Sequence, residues 1–229
     1  MRRVLSLALL AVLLGGVHTF AASATFDFET GTDQGFGLKF SNDASASFPI
    51  VSIGGSQRME ILRSGAFQEA DRASQGADAF LAAMNLAVNN PSLSTISYDW
   101  YVDTSLSPGN YGNFLQIGTY INGGSGDYAQ DFPGSGKDVE LNGTQLASGN
   151  VFSGTVTETL TAKYGALAAG FTTPAETFMR LGFILNGDGS QAKVYFDNVK
   201  VNGVPEPASI ALAGLAIPFL GLVIRRRRK

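Results

Sequence analysis

The sequence predicts a mainly β chain, an antiparallel β-sandwich with one or two short helices, followed by a single transmembrane helix at the C-terminus. Three observations predict it. The 229 residues include 28 glycines, which punctuate short runs of alternating apolar and polar residues, the pattern of half-buried strands joined by turns. Thr, Ser and Asn are frequent within and between those runs. Two long uncharged stretches, residues 4–17 and 208–224, stand at the ends.

The N-terminal stretch is a targeting segment. Arg2 and Arg3 precede the Leu- and Ala-rich run at 4–17, which is short for a bilayer core of roughly 30 Å that takes about 20 helical residues to cross. Ala22-Ser23-Ala24 places small residues at the −3 and −1 positions of a cleavage site before Thr25. Residues 1–24 therefore read as a signal peptide for the Sec export machinery, and residues 25–203 as one exported domain.

Within that domain, strands are expected at residues 25–29, 35–40, 48–53, 58–62, 95–103, 113–122, 151–160, 178–186 and 193–201. The last two are joined by Asn186-Gly187-Asp188-Gly189-Ser190, a hairpin signal. Helices are expected at 77–89, ahead of Pro91, and at 161–169, ending at Gly170, a residue suited to the left-handed C′ position. No internal repeat of fixed period appears. Asn202-Gly203 reads as a short linker.

Beyond it, Val204-Pro205-Glu206-Pro207 is followed by the uncharged run at 208–224 and then by Arg225, Arg226, Arg227, Arg228 and Lys229. A buried core helix would alternate with polar positions, and this run does not. As a helix it barely spans a membrane; Gly214, Pro218 and Gly221 are tolerated there. The five cations hold the C-terminus in the cytoplasm and leave everything upstream outside. The two prolines keep the backbone around Glu206 extended, presenting one carboxylate just outside the membrane.

This tripartite order resembles the PEP-CTERM sorting signal, also labelled an ice-binding-protein C-terminal domain. The resemblance covers about the last 26 residues, 204–229. It implies recognition by an exosortase, a membrane protease-transpeptidase, with removal of the tail near the Pro-Glu-Pro segment. It also implies a Gram-negative-type host that makes exopolysaccharide. The protein would pass through an inner-membrane intermediate, its domain on the periplasmic side, to the cell surface or extracellular matrix. No repeated Thr-x-Thr face accompanies the motif, so the ice-binding label does not carry over.

Composition removes several functions. Seven of the sixteen Lys and Arg belong to the two end segments, leaving nine cations against nineteen carboxylates in the exported part. That acidic balance disfavours nucleic-acid binding. The chain has no Cys, and its single His, His18, lies in the signal peptide. Ser-His-Asp and Cys-His catalysis and the usual zinc sites are thereby excluded from the mature domain. An enzyme would have to use a carboxylate pair or Ser-Lys chemistry.

A second resemblance touches the two ends of the domain. Thr25-Phe26-Asp27-Phe28-Glu29-Thr30-Gly31 with Gly35-Phe36, and Val194-Tyr195-Phe196-Asp197-Asn198-Val199-Lys200-Val201, are similar to the opening and closing strands of galactose-binding-like jelly rolls, which include carbohydrate-binding modules. The resemblance implies a jelly-roll-like sandwich whose first and last strands pair. It also implies a structural Ca²⁺ held by Glu29 and Asp197, with Asp27 a weaker partner. Phe36 stands where the family usually has Trp. Calcium takes six to eight oxygens, several of which backbone carbonyls and water supply. The alternative is an exposed Glu and an Asp that opens a bulge.

Strand parity nominates a ligand face. On 95–103, Ile96, Tyr98, Trp100 and Val102 share the core side, while Asp99 and Tyr101 face out. On 113–122, Gln116 and Tyr120 face out with Phe114, and on 178–186 Arg180 faces out with Phe178. If the three strands share a sheet, Asp99, Tyr101, Gln116, Tyr120 and Arg180 line one face suited to exopolysaccharide. The plainer reading is that the 77–89 helix or a long loop covers that face. Asp99 and Asp103 lie about 13 Å apart along one strand, too far for a glycosidase pair, although cross-strand pairs stay open. The acid-rich stretch Asp127, Asp131, Asp138, Glu140 reads as a solvated loop. The expectation is a non-enzymatic envelope or matrix protein that contacts polysaccharide. A carboxylate-only carbohydrate-active enzyme and a purely structural matrix protein stand as alternatives.

Overall fold

The computed structural model describes residues 21–41, 48–64, 67–106, 111–130, 138–165, 171, 175–188 and 191–205. The run at 4–17, Glu206 and Pro207, the expected membrane span at 208–224 and the basic tail lie outside the described residues. Among the described residues no helix is long and apolar enough to cross a membrane.

Alternating burial along the strands builds two antiparallel six-stranded sheets. The elements are β1 (Ala22–Phe26), β2 (Phe36–Ser41), β3 (Ile50–Ile53), β4 (Ser56–Ser64), β5 (Phe67–Ala73), α1 (Ala79–Asn89), β6 (Thr95–Asp103), β7 (Phe114–Gly123), β8 (Tyr128–Gln130), β9 (Val139–Asn142), α2 (Gly143–Leu146), β10 (Val151–Thr159), α3 (Leu160–Tyr164), β11 (Met179–Gly187) and β12 (Gln191–Gly203). The first sheet runs β10-β6-β12-β4-β3, and β1 also pairs with β12. The second runs β2-β5-β11-β7-β8, with β9 also on β7. The opening and closing strands pair, Ala22 opposite Gly203 and Phe26 opposite Val199. Ala22 to Ala24 thus supply three of the five β1 pairs; a mature chain starting at Thr25 keeps only Thr25↔Lys200 and Phe26↔Val199.

The inner rows meet in an aromatic core. Phe183 stacks on Phe196 with centroids 4.1 Å apart, and Tyr98 packs edge-on against Phe183 at 5.0 Å. Such pairs add to the large area each ring removes from water. Helix α1 starts at Asp78, whose side chain accepts from Leu81 N at 2.8 Å, and buries Phe80, Leu81, Ala83, Met84, Ala87 and Val88. It packs on the inner side of β1 and β12: Phe80 meets Phe26 at 5.8 Å, and Gly203 leaves no room for a Cβ between itself and Ala83 O and Leu86. The helix therefore closes the core and does not cover an outer face.

Four expectations are corrected. Asn186 to Ser190 does not close a hairpin, because β11 and β12 belong to opposite sheets. Asp188 instead accepts from Asn113 N at 2.6 Å, Asn113 Nδ2 at 2.8 Å and Phe114 N at 3.2 Å, tying the crossing to the start of β7. Asn202 and Gly203 are not a linker but the end of β12, paired with Thr95 and Ala22. The helix expected at 161–169 ends at Tyr164, where Gly165 takes φ +58°. Asp138 is not solvated: its side chain is 2% exposed and pairs with Lys163. Strands β5, β8 and β9 and the short α2 lay outside the sequence expectation.

Candidate functional site

β6 and β12 position the first group of polar residues. Register sets Tyr195 opposite Tyr101 and Asp197 opposite Asp99, while on the other flank of β6 Ser153 faces Tyr101 and Thr155 faces Asp99. These side chains share the outer face of the first sheet. Together with Arg58 they line a shallow cavity of about 300 Å³. The Arg58 guanidinium lies 4.7 Å from the Tyr101 ring centre, a cation–π contact, and Tyr195 meets Tyr101 edge-on at 5.8 Å. Burial, reinforced by the charge of Glu60 and a hydrogen bond to it, pushes the Tyr195 phenol well above its ordinary pKa. Tyr101 is half-buried, so part of its ring faces solvent. Trp100 is half-buried: it packs against the core and also lines this cavity, so the core side its parity predicts holds only in part.

The carboxylates of this face are held by the protein. Asp99 accepts from Thr155 Oγ1 at 2.5 Å and Asn198 Nδ2 at 2.8 Å. Asp197 accepts from Asn198 N at 2.7 Å, and Ser56 Oγ lies 2.7 Å from its Oδ2. A β-bulge between Asp197 and Lys200, with Asn198 at φ +49°, aims these groups.

The same bulge brings Asp197 to Glu29. β1 stops at Phe26, and Phe28 turns the chain through φ +56° while its buried ring packs on Phe36. Glu29 therefore sits in the turn, not on the strand as expected. Ser56 Oγ lies 2.8 Å from Glu29 Oε1 as well as 2.7 Å from Asp197 Oδ2. A hydroxyl has one proton, so it donates to one carboxylate and meets the other with lone pairs. Burial raises the Asp197 pKa first; Ser56, Asn198 and Arg58 lower it, and Glu29 pushes it up again. Two carboxylates thus meet at one hydroxyl, with Arg58 the cation that acts on Asp197. Asp27 turns instead to its own loop, accepting from Glu29 N at 3.3 Å and Gln34 Nε2 at 3.1 Å. Among the described residues no three or more carboxylates converge.

The remaining three residues nominated for a ligand face stand elsewhere. β7 and β11 pair with each other in the second sheet, and β6 belongs to the first, so the condition of a shared sheet is not met. Gln116, Tyr120 and Arg180 occupy the opposite outer face. Tyr120 is fully buried there and donates to Asp71 Oδ2 at 2.9 Å. Arg180 lies over Phe178 and pairs with Asp71 at 3.4 Å. Gln116 donates to Glu140 at 3.2 Å and accepts from Asn186 at 3.1 Å. Sequence reasoning missed Arg58, Ser56 and Tyr195. Tyr195 shares the parity of Asp197 and was findable; the other two depend on the pairing of β4 with β12.

The sorting segment begins on the body of the domain. Val204 N donates to Ser94 Oγ at 2.9 Å, and Asn90 Nδ2 donates to Val204 O at 3.3 Å and Pro205 O at 3.0 Å. Residues 203–228 match the PEP-CTERM protein-sorting motif. No curated protein matches the chain by sequence.

Among solved structures, the chain is similar to carbohydrate-binding modules. One, from work on the promiscuous specificity of modules of the β-sandwich superfamily, has a TM-score of 0.46 at 14% identity over 77% of this chain and 60% of that one. This chain thus spans about three fifths of that relative. A non-crystalline-cellulose-specific module, CBM28, has a TM-score of 0.51 at 12% identity over 78% of this chain and 93% of its own. CBM27-1 of Caldicellulosiruptor saccharolyticus, solved with mannohexaose, has a TM-score of 0.46 at 11% identity over 80% and 98% of the two chains. At such identities the likeness is one of fold, and it rests on the CBM28 match. The chain carries a PEP-CTERM protein-sorting motif at residues 203–228, preceded by a two-sheet β-sandwich with the fold of a carbohydrate-binding module.

Proposed function

We propose that the domain is a non-enzymatic polysaccharide-binding module of the cell envelope or extracellular matrix, exported by Sec and handed to an exosortase through its C-terminal motif. The membrane-anchored intermediate, with the domain on the periplasmic side, precedes removal of the tail. The observation that carries the binding reading is the Arg58-Tyr101-Tyr195 group in its shallow cavity, bordered by Asp99 and Asp197. A half-exposed aromatic ring flanked by charged hydrogen-bonding groups suits a sugar ring, which is apolar on its faces and hydroxylated at its rim. The fold neighbour CBM28 is itself specific for non-crystalline cellulose.

The test is a polysaccharide-binding screen of the full chain and of Tyr101→Ala. Wild type is expected to bind at least one exopolysaccharide, and the variant to bind it at least about tenfold more weakly, roughly 1.4 kcal/mol. Absence of binding by wild type, or unchanged binding by the variant, overturns the reading.

A carboxylate-only hydrolase finds one supporting observation, the directly opposed Asp99 and Asp197, since opposed Cβ atoms stand about 5 Å apart. Against it, both Asp99 oxygens and Asp197 Oδ1 already accept hydrogen bonds from the protein, and Asp197 Oδ2 lies against the Ser56 hydroxyl, the arrangement of a scaffold. Release of reducing ends that Asp99→Asn abolishes would favour the hydrolase.

Calcium is the second part of the proposal. Glu29, Asp197 and Ser56 Oγ would hold the ion, with backbone carbonyls and water completing the set. Bound there, it would place positive charge directly between the two carboxylates. Addition of Ca²⁺ is expected to raise the Tm and EDTA to lower it, with the response lost in Glu29→Ala. A Tm indifferent to both ends the calcium assignment and leaves the sugar reading to its own test.

A further inference from the structure

We propose that Lys163 and Asp138 join in an intramolecular isopeptide bond that staples the two sheets together. Lys163 lies on α3, directly after β10 at the edge of the first sheet. Asp138 directly precedes β9, which pairs with β7 of the second sheet, and its own N–H already donates to Ile117 O at 3.0 Å. The two side chains meet between the sheets, 0% and 2% exposed. Lys163 Nζ contacts both carboxylate oxygens of Asp138, and the Tyr98 hydroxyl contacts Oδ2. Around them stand the Tyr98 ring, 5.6 Å from Nζ, and the Tyr164 ring at 5.9 Å. Thr119 Oγ1 and Tyr164 Oη are hydrogen-bonded to each other at 2.8 Å close by.

The surroundings favour the condensation. Two opposite charges kept from water are costly, and passing one proton along their hydrogen bond yields a neutral amine beside a neutral carboxylic acid. The amine lone pair then attacks Asp138 Cγ, forming the Nζ–Cγ bond. The Cγ–Oδ2 bond breaks, and Oδ2 departs as water with the carboxyl proton and one proton from Nζ. Tyr98 relays that last proton from Nζ to Oδ2 and is itself unchanged. Atoms and charge balance with no oxidant or other reactant. Fixed reacting groups reach effective molarities on the order of 10⁵ M or more, and a dry site withholds the water that would reverse the step. The chain has no Cys, so a disulfide is not available to tie the sheets together.

Tryptic mapping of the folded full chain decides the matter. No Lys or Arg lies between Asp138 and Lys163, and the next cation after Lys163 is Arg180. With the cross-link, trypsin spares Lys163 and releases one peptide from Asp138 to Arg180, lighter than its sequence mass by one water. Lys163→Arg and Asp138→Ala are expected to restore the full mass. Tyr98→Phe is expected to slow the loss of water in freshly refolded protein while leaving the final mass unchanged. Cleavage after Lys163, giving two peptides of full mass from wild-type protein with a cooperative thermal transition, overturns the proposal and leaves a buried ion pair.

Discussion

Gly182→Ala is expected to destabilise the sandwich by about 3 kcal/mol, among the larger effects of a single added methyl group. Gly182 lies between Tyr120 on β7 and Asp71 on β5. The Tyr120 ring crosses the strand over Gly182 to reach Asp71, and a Cβ there would overlap the ring atoms Cε1 and Cζ. Alanine must either bend β11 or expel the ring. Expulsion strands Asp71 beside Arg180 alone and unseats Tyr120 from Ile184 and from Tyr128, whose ring stands 5.8 Å away. Burial first, and then the charges of Asp71 and Glu69, push the Tyr120 phenol far above its ordinary range, so it remains a donor at every working pH. The urea midpoint should fall with an unchanged slope. Tyr120→Phe, which loses only the hydrogen bond, should cost about 1 kcal/mol. A Gly182→Ala midpoint within error of wild type would mean that the ring does not lie on the strand.

Arg72→Ala is expected to cost about 3 kcal/mol, because it leaves a partly buried carboxylate without its partner. Arg72 points inward from β5, its guanidinium 5.4 Å from the Phe26 ring and 5.2 Å from the Phe80 ring, and pairs with Asp78 at 2.8 Å. Asp78 is also the cap of α1, so one carboxylate couples the second sheet to the helix that closes the core. Arg72→Met, which keeps the contacts with the two rings, should cost less than Ala. Burial raises the Asp78 pKa, but hydrogen bonds from Leu81 N, Gln75 N and Arg72 outweigh it and hold the carboxyl below its usual value. The stability from this depressed pKa is present above the unfolded value of about 3.9 and is lost as the pH falls through the folded one. Acid denaturation of Asp78→Ala should accordingly show a weaker pH dependence. Equal losses for Arg72→Ala and Arg72→Met would assign the whole effect to the lost charge.

Strand β5 also shows where sequence reading stops. Its inner row is Gln68, Ala70 and Arg72, two of them polar and all buried, so the hydrophobic alternation that reveals a strand is missing at Phe67–Ala73. What makes Arg72 tenable in that row is partners outside the strand, Asp78 and the Phe80 ring just beyond it and the Phe26 ring far back in the sequence, and residue type alone does not reveal those contacts. By contrast Thr95–Asp103 is found to the residue, because Ile96, Tyr98 and Val102 are all buried on one side. The acidic stretch misled for the same reason as β5. Asp138 looks solvated among glycines until Lys163, 25 positions away, is folded against it.

By itself the sequence determined the two-sheet class, the pairing of opening and closing strands, the proximity of Glu29 and Asp197, and the sorting motif at the C-terminus. The sheet class is carried by local patterning and the sorting signal by a contiguous motif, whereas the strand pairing and the Glu29–Asp197 proximity are what the resemblance to galactose-binding-like jelly rolls implies. Only the tertiary structure decided which strands share a sheet. That assignment sent Asp99 and Tyr101 to one outer face and Gln116, Tyr120 and Arg180 to the other, added Arg58 and Tyr195 to the first group, and brought Lys163 to Asp138. Parity along a strand says which side a residue faces, but the identity of its neighbours on that side is set by hydrogen-bonded register between distant segments.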